Sequence, residues 1–177
     1  MDDTKTLPDH PTDKPRAITV RPFAPGDGAK IYRIARDTGV LDLNSSYSYL
    51  LWVRDFSQTS VVAELDVAEL DGEVVGFITG YIRPDAPDTL MVWQVGVDEA
   101  ARGLRVASQM LDALNESVQP KVLETTITST NKASNALFAS FAKRNNAGEE
   151  ITPLFTPEMY PDDQPTEYLH HIAPLNS

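Results

Sequence analysis

The 177-residue chain contains no cysteine. That absence removes disulfides, thiolate nucleophiles and zinc–thiolate sites together, and it fits an intracellular, cytoplasmic protein. Long apolar runs are missing as well. The longest, Val74 to Ile82, is broken by Gly76 and Gly80 and falls far short of the ~20 residues of a membrane-spanning helix, so no membrane partner is expected. Positive charge is scarce: 15 Lys and Arg stand against 26 Asp and Glu, a formal net charge of -11. Nucleic acid is held by clustered Lys and Arg, so it is excluded as the main partner, whereas a cationic ligand suits this balance. No H-E-x-x-H, P-loop or G-x-S-x-G occurs, and no G-x-G-x-x-G follows the first strand candidate. Protease, nucleotide hydrolase, serine esterase and doubly wound dinucleotide-binding readings have nothing to rest on. No set of side chains at metal-ligand spacing is evident, and adjacent His170 and His171 face opposite ways on a strand, which makes ordinary packing the better reading of both.

With 41% hydrophobic and 23% charged residues, the composition is that of a globular protein with one sizeable core. The first 16 residues, MDDTKTLPDHPTDKPR, carry three prolines and no apolar segment. They are expected to be a disordered tail, neither a signal peptide nor an anchor, before a single domain over 17–173.

Ala17 to Pro22 is β-branched and stopped by proline, a short strand. A helix from Gly28 to Thr38 stops at Gly39, and a second runs through Leu50, Leu51, Val53 and Phe56, capped by Asn44 or Ser45. Ser60 to Leu65 and Glu73 to Ile82 are strands whose connection ends in the hairpin signal Asp71-Gly72; Arg83 to Pro87 is a proline-rich loop. A buried strand, Leu90 to Val97, follows. Next come a helix from Arg105 to Ser117 with Leu104, Ala107, Leu111 and Leu114 on one face, and a strand from Val122 to Thr128. A helix from Asn131 to Arg144 turns Ala133, Leu137, Phe138 and Phe141 inward, and strands Ile151 to Phe155 and Glu167 to Ile172 close the chain. The order predicts an α/β (α+β) fold, a mixed sheet of about seven strands flanked by about four helices.

The stretch from Asp88 to Ala107 organises this pattern. It joins the buried strand to a helix through Arg102-Gly103-Leu104-Arg105-Val106-Ala107. First-turn amides lack intrahelical partners and the helix dipole favours negative charge beside them, so a phosphate or pyrophosphate suits this turn.

A basic turn after the fourth strand, in this element order, resembles the Gcn5-related N-acetyltransferases, which bind acetyl-CoA between their fourth and fifth strands. One branch is closer. Leu41-Asp42-x-Asn44-Ser45-x-Tyr47-x-Tyr49-Leu50-Leu51, Ala86-Pro87-Asp88-Thr89, Trp93-Gln94-Val95, Ala101-Arg102-Gly103 and Leu123-Glu124-Thr125-Thr126-Ile127-Thr128 are similar to the L-2,4-diaminobutyrate acetyltransferases of ectoine biosynthesis. The resemblance implies acetyl-CoA as cosubstrate, a small diamino acid acetylated at its 4-amino group as substrate, no metal, and a homodimer; acetylation of another small diamine, a polyamine or an aminoglycoside is the alternative, as is a CoA-binding module without turnover. The implied cofactor contacts are Val95, Val97, Arg102, Gly103, Leu104, Arg105, Val106, Ala107, Asn131 and Ser134. Two positions depart from the family pattern. Arg105 stands where the turn expects glycine; if it starts the helix in ordinary α geometry, its guanidinium swings out to pair with a phosphate. Phe138 stands where many members have a tyrosine near the CoA sulfur, and it has no proton to give.

A diamine needs acidic partners, and Asp42, Glu124 and Glu167 are the candidates. Glu124, flanked by apolar residues in an interior strand, is costly to bury unpaired, so a substrate ammonium, an arginine or an opening to solvent must satisfy it. It is also the catalytic candidate with Val95, whose N–H would hold the oxyanion after direct attack by the amine. Asn44, Tyr47 and Trp93 complete the expected substrate contacts, Trp93 as a wall against the methylene chain.

Overall fold

The computed structural model describes residues 17–67 and 70–176; the expected N-terminal tail lies outside them. Seven strands alternate with four helices in the anticipated order: β1 (Ala17–Pro22), α1 (Asp27–Thr38), α2 (Ser46–Asp55), β2 (Val61–Val67), β3 (Leu70–Arg83), β4 (Ala86–Val97), α3 (Val106–Val118), β5 (Val122–Thr128), α4 (Lys132–Arg144), β6 (Gly148–Phe155) and β7 (Glu167–Ala173). They form one sheet in the order β1-β2-β3-β4-β5-β7-β6. Every adjacent pair is antiparallel except β4–β5, which is parallel because α3 carries the chain back across one face.

Local chemistry accounts for most boundaries. Gly39 ends α1 in the left-handed conformation, Ser45 caps α2 by accepting from Ser48 N, and Asn131 caps α4 by accepting from Ser134 N. Two connections differ from expectation. Arg83 and Ala86 are paired across Pro84-Asp85, so the proline-rich segment is a tight hairpin rather than a loop, with β3 and β4 both extended into it. Asp71-Gly72 lies inside β3, not in the connection before it.

Two cores sandwich the sheet. On one face Met110, Leu111 and Leu114 of α3 and Phe138 and Phe141 of α4 pack on Leu90, Val92, Leu123 and Ile127. On the other Ile31, Ile34 and Ala35 of α1 and Tyr49 of α2 pack on Val62, Val74 and Phe77. Ala133, expected inward, is exposed; Asn131 and Lys132 at the start of α4 are also exposed, and the buried stripe begins a turn later. Gly76 lets α3 approach closely, since a Cβ there would sit 3.0 Å from both Val106 Cγ1 and Met110 Cε.

Two irregularities create the site. Register with β3 shifts between Val92 and Gln94, a bulge centred on Trp93 that turns Trp93 and Gln94 toward the α2 side together, while Val92 and Val95 both pack on the α3 core. Beyond Val92, β4 also stops pairing with β5, whose ladder to β4 runs only from Val122 to Thr125. The two strands diverge, and β5 continues with β7 alone.

Candidate active site

A cavity of about 290 Å³ fills the wedge between the diverging strands. Trp93, Gln94 and Val95 of β4 form one wall, Thr125 to Thr128 of β5 the other, and Asn131, Ser134 and Phe138 of α4 close one side. The loop before α2, through Asp42, and Glu167 at the start of β7 complete the rim.

That rim is acidic. Glu167 is half-buried, and its carboxyl is held above the usual glutamate range, first by burial and then by the negative charge of Asp42, while a hydrogen bond with Thr126 pulls the other way. Tyr160, from the loop before β7, feels the same field: burial, then Glu167, Asp42 and Asp162, push its phenol up. Two carboxylates thus share one end of the cavity, an arrangement completed by a ligand with positive charge. A carboxylate with a raised pKa is also the better proton acceptor near neutral pH. Trp93, 39% exposed, packs on Trp52 with ring centroids 4.6 Å apart and lines the cavity.

The opposite end leads to the basic turn. Gly103 has φ 83, and a Cβ placed on it would meet nothing within 4 Å. Arg105 is the helix N-cap; its carbonyl accepts from Gln109 N at 3.1 Å, and no side chain caps the amides that follow. Val106, Ala107 and Ser108 therefore present unpaired N–H groups beside two exposed arginines, the cradle a diphosphate requires. The unpaired edge of β4 from Trp93 to Val97 connects this turn to the cavity, leaving room for an extended arm. The residues present therefore fit acetyl-CoA. Arg105 itself departs from expectation. It is not in α geometry but left-handed, φ 56 and ψ 31, the conformation in which glycine is at ease.

The structure brings together Asp42, Trp93, Val95, Asn131, Ser134 and Glu167. Val97, Arg102, Gly103, Leu104, Val106 and Ala107 gather at the turn instead. Asn44 supports its loop, donating from Nδ2 to Asp42 O at 3.3 Å, and Tyr47, 66% exposed on α2, does not reach the cavity wall. Glu124 stands apart from these residues, in the arginine-paired alternative that the sequence left open for it. It lies outside the lining, with Arg83 Nη1 3.0 Å from Oε2 and His171 Nδ1 3.0 Å from Oε1. The arginine supplies the positive partner that a carboxylate buried in this strand needs. His170 is buried against Glu149 at 2.8 Å, the packing role expected of it. Tyr160 went unnoticed in the sequence, and Gln94 and Thr126, though quoted within the motifs, were given no role; Gln94 carried a signal of its own, a polar residue inside an apolar strand.

The acetyltransferase (GNAT) family model matches residues 29–142. An L-2,4-diaminobutyric acid acetyltransferase of Streptomyces coelicolor is 51% identical over 156 residues, covering 85% of this chain and 89% of that protein. A protein of the same name from Halomonas elongata is 36% identical over 90% of this chain and 83% of its own length. Among solved structures, the diaminobutyrate acetyltransferase EctA from Paenibacillus lautus, in complex with its substrate L-2,4-diaminobutyric acid and coenzyme A, is similar with a TM-score of 0.82 and 34% identity, over 90% of this chain and 96% of that one.

Proposed function

The chain belongs to the acetyltransferase (GNAT) family, and from that premise we propose that it transfers the acetyl group of acetyl-CoA to the 4-amino group of L-2,4-diaminobutyrate, the acetylation step of ectoine biosynthesis. One observation carries the substrate: the wedge between β4 and β5 ends in two carboxylates, Asp42 and Glu167, close enough for one to raise the other's pKa. A diamine offers a positive charge to each.

The relatives' shared name supports the same assignment, as does the diaminobutyric acid bound by the Paenibacillus enzyme. Acetyl-CoA supplies the electrophilic thioester carbonyl, and its thiol, of ordinary pKa about 8.5, is a tolerable leaving group without a protein acid. An alkylammonium of pKa about 10.4 must lose a proton before it can attack. Glu167 takes that proton, directly or through one water, while Asp42 holds the other ammonium. Trp93 lies against the methylenes between them. Val95, on the unpaired edge of β4, offers its N–H to the acyl oxygen, a donor typically worth a few kcal/mol of barrier. Arg102, Arg105 and the amides around Gly103 hold the diphosphate, and Asn131 and Ser134 border the pantetheine arm. A single domain over 17–173 carries all of these groups.

The protein acts in the cytoplasm as a homodimer, in this reading. Support for pairing comes from the edge strand β6, where Ile151, Leu154 and Phe155 are exposed with nearby Met159, a patch that a second copy would cover.

Acetyl-CoA-dependent thiol release, measured across diaminobutyrate, ornithine, lysine and spermidine, tests the proposal. Diaminobutyrate should lead by at least tenfold in kcat/KM; preference for ornithine or spermidine overturns the substrate.

A further inference from the structure

The bulge that turns Trp93 into the cavity also buries Gln94, which is 5% exposed and has its backbone N–H and both side-chain amide atoms hydrogen-bonded. Its backbone N–H donates to Thr79 Oγ1 at 3.0 Å. Its side-chain Oε1 accepts from Tyr49 OH at 3.1 Å, and Nε2 donates to the backbone oxygen of Asp42 at 2.9 Å. Tyr49 is itself immobilised, 1% exposed and edge-on to Tyr32 and Phe77 at 5.9 and 6.4 Å. The Asp42 carbonyl can only accept, so it takes the amide nitrogen and leaves the amide oxygen to accept from the Tyr49 phenol, which fixes the amide in one orientation, with its nitrogen toward the loop. That loop, residues 40–44, has no regular secondary structure. Among the described residues, the other group on Asp42 O is Asn44 Nδ2, at the longer 3.3 Å and from the same loop. Gln94 is thus the tie from the sheet to the segment that presents the Asp42 carboxylate.

The geometry points to Gln94 as a positioning residue for the second amine: the Tyr49–Gln94–Asp42 chain of hydrogen bonds holds the Asp42 carboxylate on the cavity rim with Glu167, and so selects a diamine over a monoamine. This rests on the function proposed above. Gln94 touches no reacting atom in this role; it acts through Asp42. A glutamate at 94 still accepts from Tyr49 but sets an oxygen against the Asp42 carbonyl, so the loop loses its tie while the bulge keeps its shape.

The test compares Gln94→Glu, Gln94→Leu and Tyr49→Phe with wild type. It measures KM for diaminobutyrate and for acetyl-CoA separately, the kcat/KM ratio of diaminobutyrate over 4-aminobutyrate, which lacks the second amine, and the melting temperature. Gln94→Glu and Gln94→Leu should raise the diaminobutyrate KM about tenfold, as expected for one lost buried hydrogen bond. They should leave the acetyl-CoA KM within about twofold and shrink the preference for the diamine. Tyr49→Phe removes only the orienting hydroxyl and should give a smaller change in the same direction. Adding Asp42→Asn to Gln94→Glu should cost less than in the wild-type background, because the two act as one unit. An unchanged diaminobutyrate KM and selectivity in the folded variants overturns the inference. So does a parallel rise of both KM values with falling melting temperature, the mark of a purely structural role. Should the Gln94 variants fail to fold, Tyr49→Phe decides by the same criteria. Failure of the underlying reading is distinct, since it shows in the wild-type protein as preference for another amine.

Discussion

Replacing Arg105 by glycine should move two properties in opposite directions. Arg105 sits at φ 56, where a side chain costs roughly 1–2 kcal/mol relative to right-handed geometry. Glycine removes that strain but gives the unfolded chain more freedom, which returns about 0.5–1 kcal/mol. The side chain is exposed and no packing is lost with it. The net gain is then about 0.5–1 kcal/mol, a rise in Tm of roughly 1–4 °C for a chain of this length. The same substitution deletes a guanidinium from the diphosphate cradle. An exposed charge-assisted pair contributes about 1 kcal/mol, so CoA should bind roughly fivefold more weakly, with the difference shrinking in high salt. Arg105→Ala separates the two effects: it loses the charge but keeps the left-handed backbone, so it should match Arg105→Gly in CoA affinity while melting below it. The assays are thermal unfolding of the protein without ligand and calorimetric titration with CoA at two salt concentrations. Undiminished CoA affinity in both variants would refute the pairing role. If the glycine variant melted no higher than the alanine variant, the strain argument would fail.

Three further outcomes follow from the site. Glu167→Gln should lower kcat/KM for diaminobutyrate by about a hundredfold or more, as loss of a general base does. Because the folded pKa of Glu167 is raised, folding favours its protonated form; that stabilisation is full below the unfolded pKa and is lost as pH rises through the folded value. The glutamine variant should therefore melt above wild type at pH 8 but not at pH 4, and equal melting at pH 8 would contradict the burial of the carboxylate. Glu124→Gln, which weakens the pairs with Arg83 and His171, should cost about 1–2 kcal/mol of stability while changing the diaminobutyrate KM less than about threefold; a tenfold rise would return Glu124 to the substrate site. The chain's two tryptophans, Trp52 and Trp93, are stacked with Trp93 on the cavity wall, so adding diaminobutyrate should change intrinsic fluorescence, a change that Trp93→Phe abolishes.

Much of the architecture was legible because it is written in local chemistry. Strands β1 and β5 run where the β-branched runs run, and the caps at Ser45 and Asn131 and the stop at Gly39 are short-range hydrogen-bond and dihedral effects. The basic turn was legible for the same reason, since a strand, a short turn and a helix start are contiguous. Asp42 and Glu167 were named by residue type and resemblance, but nothing local could show them on one rim, because they stand 125 positions apart and only the sheet order brings β7 beside β5.

The remaining decisions were made by pairing at a distance. Glu124 found Arg83, 41 residues away, and His171, 47 away, because the β5–β7 register and the length of the β3–β4 hairpin put them side by side. The bulge at Trp93 exists only relative to β3, and it alone determines that Gln94 faces Tyr49 rather than the α3 core. Arg105 is left-handed at the start of α3, a conformation that no propensity of arginine contains. What the chain by itself settled were the elements and the kinds of charge available, since dihedral preference and hydrophobic period act over a few residues. Which charges meet and which are already satisfied was settled only when strands far apart in sequence came into register, because Coulomb interactions and hydrogen bonds depend on distance in space and not along the chain.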